Sequence, residues 1–440
     1  MTILFLAKRP QTLNRMSSPC VVDTLLARCR LQARRRIMNQ IVGLDALNFK
    51  LAGAREGFGP FLGVYLQQQG FSPARTGFAM SLAGLAGIAA TAPLGALIDR
   101  ITAKRAAVIV AVVCIAIGAG LIVASKQLWM VAVGQVIIGV ADSSLAPLVA
   151  ALTLGLVGRQ RYDDRVAHNE AFNHAGNGAN AALAALMSYA WGLGYVVAPI
   201  GTMAIATSAV TLSVDPRSID HEAARGGRAE NESTWRALWS SKPLLLLAAT
   251  AFAFQAANGA MLPFIAQALT FQGHDPGLTT GAMTVLAQVS RIGAALLVTV
   301  APKRVGHPRL LGAALLIVVV RAAWAASSAS WCSIGLIQIL EGLAMGLTGV
   351  AIPAIVANVM AGTGHAGARL GGFLMAYGAG AALSPALAGL VAQTFGFPAA
   401  FIALSAIASI GLAVWILGAR LQTAEHIARW GTRSSDRADR

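Results

Sequence analysis

Arg55 and Glu56 stand side by side inside a mostly apolar run that extends from about residue 43 to 66. Ionisable groups in apolar surroundings are costly, so each implies binding, proton transfer or a partner. Successive helical residues point about 100° apart, so these two need not pair with each other. A carboxylate whose charge depends on burial and on a nearby cation can take up and release a proton. Glu56 is therefore the leading proton carrier, and the alternative is a buried Glu held by a fixed Arg. Asp142, after Gly139, and Glu341, just before Gly342, stand in two further apolar runs. Each is either a second member of that proton path, an acidic contact for a ligand, or a local hydrogen-bond partner, for Asp142 of Ser143 or Ser144.

A second constellation lies at 168–178. Asn169, Asn173 and Asn177 recur every four residues, which places them on one helical face. Glu170 and His174 are also four apart. Such a stripe must face protein or water, so it lines a cavity or joins helices, with Gly176 and Gly178 permitting close approach. Arg291 sits mid-run and implies an acidic partner or an anionic ligand. Arg321 lies nearer the end of its run, from where its long side chain can snorkel. Other chemistry is poorly supported. His168 and His174 with Glu170 are the nearest approach to an acyl-transfer site, and no nucleophile stands at a recognisable spacing. The four cysteines show no CxxC or Cys/His spacing, so neither a metal nor another cofactor is implied.

The elements that must carry these residues follow from composition. The 440 residues are 56% hydrophobic and only 12% charged, where a soluble domain carries about a quarter charged residues. That composition predicts a polytopic membrane protein with room for about twelve helical spans. The first half holds runs at about 43–66, 78–98, 106–124, 128–154, 168–190 and one ending near 214. The second holds runs at about 243–269, 281–301, 310–326, 331–360, 370–394 and 398–418. The predicted organisation is a basic tail (1–42), a first unit (43–214), a polar linker (215–242), a second unit (243–418) and a polar tail (419–440). Translation starting at Met38 rather than Met1 is an open alternative for the tail.

Charge placement orients these runs. Arg100, Lys104 and Arg105, then Arg159, Arg161 and Arg165, then Arg217, Arg225, Arg228 and Arg236, then Lys303, Arg304 and Arg309, and finally Arg369 fall in alternate loops. The intervening loops hold little beyond Arg75 and Lys126. Positive loops face the cytoplasm, so both termini are placed there. The formal charge of +16 is then read as attraction to an anionic bilayer surface rather than to nucleic acid.

The two halves also echo each other. Pro60-Phe61 and Pro263-Phe264, Gly70 and Gly273, Pro73 and Pro276, and Gln135 and Gln338 are each 203 residues apart. Arg165 and Arg369, Gly176 and Gly380, and Gly192 and Gly396 are 204 apart. That constant offset implies two parallel repeats of about six spans.

Within this frame the turn Gly95-x3-Asp99-Arg100-x3-Lys104-Arg105 resembles the loop signature of the major facilitator superfamily (MFS). Thr102 stands where that family has glycine and Ala103 where it has a basic residue. Gln135 replaces an Arg common in the fourth span, and the fifth span lacks the Gly-Pro pair of antiporters. The resemblance implies an all-α membrane protein with twelve transmembrane helices in two pseudo-symmetric six-helix bundles. It implies a monomeric secondary transporter, not an enzyme, in the bacterial inner (plasma) membrane, moving a small molecule by alternating access. Gly95, Asp99, Arg100, Lys104 and Arg105 would form a cytoplasmic gating loop, with a degenerate twin around Lys303-Arg304. Glu56 with Asp142 or Glu341 would couple transport to protons, or to sodium. Arg55, Asn169, Asn173, His174, Asn177 and Arg291 would contact substrate. Export is preferred to uptake; a proton-coupled permease or a non-transporting receptor are the alternatives.

Overall fold

The computed structural model describes residues 41–214, 242–298, 306–327, 331–360 and 366–438. The expectations for the N-terminal tail, for the linker at 215–241 and for Lys303-Arg304 lie outside these residues. So do those for the side chains of Arg369 and residues 419–438.

Every described element is helical. The chain starts with α1 (41–56), followed by α2 (Gly59–Gln68), α3 (Pro73–Arg100), α4 (Lys104–Ala124), α5 (Leu128–Val157), α6 (Tyr162–Trp191) and α7 (Val197–Ser213). The second half holds α8 (Lys242–Asn258), α9 (Met261–Phe271), α10 (Pro276–Val298), α11 (His307–Ser327), α12 (Trp331–Met360), α13 (Ala366–Phe395) and α14 (Phe397–Ala438). Among the described residues, nine helical stretches are long and apolar enough to cross a membrane. The other three predicted runs are α1 with α2, α6 and α10. These same three carry Arg55, Glu56, the asparagine stripe, His174 and Arg291. In α6 the asparagines and His174 lower the hydropathy.

Helix ends follow local chemistry. Ser72 caps α3 by accepting from the Arg75 amide, and Pro73 takes the first helical position, where its missing N–H costs nothing. The turns after α2 and α9 both use a glycine in the left-handed region, Gly70 (φ +83) and Gly273 (φ +91). This shared geometry, 203 residues apart, is the repeat expressed in backbone. Two expected boundaries moved. The basic stretch after α5 is a loop only as far as a short 3-10 turn, Arg159–Arg161, and α6 already begins at Tyr162. The last helix continues to Ala438, well past the expected end of the twelfth run.

The first run of each half is broken at the same place. α1 stops at 56 and α2 starts at Gly59; α8 stops at Asn258 and α9 starts at Met261. At the first break, a Cβ on Gly57 would overlap the Asn180 side chain of α6. At the second, Ser384 of α13 accepts from the Ala260 amide at 2.9 Å. At the second break a neighbouring side chain thus satisfies a backbone amide, as broken membrane helices require, whereas at the first Asn180 fills the space without a hydrogen bond.

Among the described residues, the halves pack most closely at the end away from the Arg100–Lys104 turn. Ser72 donates to the Gln393 amide oxygen at 2.8 Å, Ser81 accepts from the Ala386 amide at 3.0 Å, and Gln67 donates to the Gln267 carbonyl at 3.2 Å. Small residues let the backbones approach: a Cβ on Gly77 would overlap the Pro385 carbonyl, and one on Gly84 would sit 2.6 Å from the Ala382 Cβ. These contacts join α3 to α13 and α2 to α9, while α6 packs on α10 with Gly277 against Ser188. Towards the opposite end, which carries the Arg100–Lys104 turn, α3 loses its cover. Of residues 91–100 only Ile98 is buried. The apolar core divides accordingly. One cluster, from Leu44 to Leu404, runs through the first half and the shared end. A separate one, from Leu244 to Trp415, fills the basic end of the second half.

Candidate functional site

The open end leads into a cavity of about 680 Å³ between the halves, bounded by Arg55, Glu56, Gly84, Ile88, Asp142, Ser143, Leu374, Met375 and Gly378. α5 comes close to α3 because Gly139 has no side chain; a Cβ there would overlap the Ala83 carbonyl. One turn on, Asp142 then faces the end of α1.

Arg55 grips Asp142 through two guanidinium nitrogens, Nε to Oδ1 and Nη2 to Oδ2, the latter at 3.2 Å. The paired fork geometry is the strong form of this interaction. Both side chains are about one-third exposed, 30% and 33%, and both line the cavity. Asp142 is therefore no partner of the neighbouring serines, whose hydroxyls donate to the carbonyls of Val140 and Ala141. Nor is Glu56 held by Arg55. It is exposed to the cavity and accepts from Asn177 at 2.8 Å. The Oδ1 of Asn177 is buried without a partner.

The asparagine stripe is split by these contacts. Only Asn177 serves Glu56. Asn173 donates to its own neighbour Glu170 at 3.3 Å. Asn169 is buried, accepting from Arg165 at 2.8 Å and donating to Thr153 at 3.2 Å, while Arg165 also pairs with Asp45 of α1. Asn169, Glu170 and Asn173 nevertheless border, with Arg55 and Asn48, a smaller hollow of about 140 Å³. His174 Nδ1 lies 2.8 Å from the Gln288 amide oxygen, linking α6 to α10 across the halves.

Arg291 has the acidic partner its position required. It pairs with Glu341 through Nη2 and, at 3.3 Å, through Nε; Arg291 is 21% exposed and Glu341 only 4%. Arg321 does not snorkel: it is fully buried. The turn residues divide too. Lys104, buried, donates to the Ile98 carbonyl at 2.9 Å, and Arg105 donates to the Thr211 carbonyl at 2.9 Å. Both neutralise helix C-terminal carbonyls. Asp99 and Arg100 are exposed and Gly95 has open space around it.

Sequence reasoning missed Gln288, the Asp45–Arg165 pair and Asn180, whose two amide atoms are buried without partners. Only the repeat, here at an offset of 204 residues, carried a signal for Asn180: it fills the break at Gly57 as Ser384 fills the one at Ala260.

The sequence model described as Major Facilitator Superfamily matches residues 46–330. The chain belongs to that superfamily. It is 35% identical over 383 residues to an uncharacterised MFS-type transporter of Mycobacterium tuberculosis strain H37Rv, covering 85% of this chain and 91% of that protein. The counterpart from strain CDC 1551 / Oshkosh matches equally. Among solved structures, the nucleoside transporter NupG (D323A mutant) superposes with a TM-score of 0.73 at 16% identity, covering 87% of this chain and 99% of that one. A bacterial homologue of the human lysosomal transporter Spinster, inward-facing and unoccupied, gives 0.65 at 12% identity, covering 88% and 97%. These likenesses show the fold. The MFS chain is thus a multi-pass membrane transporter, and such transporters bind small molecules.

Proposed function

We propose that this MFS chain is a proton-coupled secondary transporter of a small organic solute, working as an exporter. Twelve spans form two six-helix bundles, 43–214 and 243–418, that rock about the central cavity, in a bacterial inner membrane with both termini in the cytoplasm. The observation that carries this reading is the placement of Glu56. It is an exposed carboxylate in the cavity between the halves, beside the Arg55–Asp142 pair and held by a single neutral donor, Asn177.

Proton uptake by Glu56 removes the charge that Asn177 and the neighbouring cations hold. Arg55 and Arg291 are the guanidinium groups whose charges interact with Glu56. Losing that interaction in one protonation state couples the proton to the helices that carry them, α1 and α10. Arg55, Asn173, His174, Asn177 and Arg291 supply the solute contacts, with Asp142 or Glu341 as the second carboxylate of the proton path. Asn169 supports the site from behind. The open end carries the turn with Arg100, Lys104 and Arg105, which the positive-inside rule assigns to the cytoplasm. A cavity loaded from that side favours export. The test is solute-dependent proton movement in inverted membrane vesicles, with Glu56→Gln beside wild type.

A further inference from the structure

Arg321 lies in α11 with no exposed surface, and none of its three guanidinium nitrogens has a hydrogen-bond partner. Arginine does not shed its proton to relieve this, and a lone buried cation is strongly unfavourable. Gln338 on α12 is likewise fully buried, with both amide atoms unpartnered. One turn further along α12, Glu341 is engaged by Arg291. Among the described residues, Glu341 and Arg291 are the charged groups that act on Arg321, and Glu341 in turn feels Arg291, Arg321 and His174.

The repeat fixes how these positions lie. Residues 321, 341 and 291 correspond, 203 residues earlier, to Gly118, Ile138 and Ile88. A Cβ on Gly118 would sit 2.8 Å from the Ile138 side chain. The crossing of α11 and α12 therefore sets position 321 beside position 341. The fold itself needs no charge at any of the three, since the first half fills them with glycine and isoleucine. The second half has a fully buried guanidinium, Arg321, a partly buried one, Arg291, and one carboxylate, Glu341, an excess of one positive charge.

We propose that Arg291, Glu341 and Arg321 form an anion-exchange relay. A solute carrying a carboxylate or phosphate group takes Arg291, and the Glu341 released from it turns to Arg321, so that every charge is then paired. The relay rests on the transporter reading and narrows its solute to an organic oxyanion.

The experiment uses the full-length chain in detergent micelles and reads melting temperature. Arg291→Met and Arg321→Met each leave Glu341 one partner, so each melts within about 3 °C of wild type. The double variant leaves Glu341 bare and falls at least about 8 °C further than the two effects added. Adding Glu341→Gln to the double variant removes the orphan charge and restores melting, or restores folding where the double fails to fold. Additive single effects, or a triple variant no better than the double, overturn the relay. Sodium benzoate and sodium phosphate are then compared with sodium chloride at equal ionic strength. At least one raises the melting temperature of wild type, less so that of Arg321→Met, and not that of Arg291→Met. Stabilisation that survives Arg291→Met, or a wild type stabilised by neither salt, overturns the oxyanion site. No melt involves transport. Additive melts in a chain that moves solutes reject the relay alone; a coupled cycle in a chain without flux rejects the transporter reading alone.

Discussion

Asn258 points its amide at the Met345 sulfur, 3.5 Å away, at the positions that Arg55 and Asp142 occupy 203 residues earlier. The same helix–helix contact is thus an ion pair in the first half and a neutral pair in the second. The charge at Arg55–Asp142 is consequently not what the fold demands at this crossing. Both residues line the cavity between the halves.

That relationship predicts a stability pattern. Arg55→Asn alone strands Asp142, and Asp142→Met alone strands Arg55. Each lowers stability by about 1–3 kcal/mol, less than a fully buried pair because both groups are about one-third exposed. The double variant Arg55→Asn/Asp142→Met copies the second half and recovers to within about 1 kcal/mol of wild type. Thermal melts in detergent check this, and a double variant worse than either single one contradicts it.

The closed end predicts an accessibility change. Gly77 lies against the Pro385 carbonyl so closely that any Cβ forces α3 and α13 apart. Gly77→Val therefore shifts the population toward a state parted at this end. In a chain whose native cysteines are replaced, Ala382→Cys then reacts about tenfold faster with a membrane-impermeant maleimide applied from that side, a shift of about 1.4 kcal/mol. Gly201→Val, which meets open space, leaves the rate unchanged.

The basic turn predicts a graded loss. Lys104 is 1% exposed and caps the end of α3, whereas Arg105 is half-buried against the last carbonyls of α7. Lys104→Met costs about 1–3 kcal/mol because it strips a charged donor from a buried carbonyl. Arg105→Met costs less, since water replaces its donors. Urea or thermal unfolding of the two variants orders them.

Much of the fold was legible before any coordinates. Runs of about 20 apolar residues punctuated by basic turns are a coarse pattern, and the 203-residue offset placed the halves in register. Gly57, Gly59 and Pro60 mark the break after Glu56 in the sequence itself. Partnerships were less legible. Arg55 and Asp142 lie 87 residues apart, and their meeting depends on how each helix is rotated, which a span apolar on all sides does not reveal. Arg321 shows this most plainly. Its height near the end of α11 suggested snorkelling, but its face turns to α12, into the packed interior. The stripe at Asn169, Asn173 and Asn177 had the right face and the wrong unity. Helix periodicity placed the three together, but Asn169 is engaged by Arg165 and Asn173 by Glu170 on α6 itself, while Asn177 reaches across to Glu56 of α1. The start of α6 was misread because a basic, polar stretch resembles a loop, although Asp164 suits the first turn of a helix.

The measurement closest to the central claim is proton release in inverted membrane vesicles, followed with a pH-sensitive dye while organic anions, cations and neutral solutes are added in turn. In wild type, at least one solute, an anion foremost, drives proton movement, and Glu56→Gln abolishes it while the protein still inserts and folds. The same proton signal in Glu56→Gln as in wild type contradicts the account, because the carboxylate in the cavity then carries no part of the coupling.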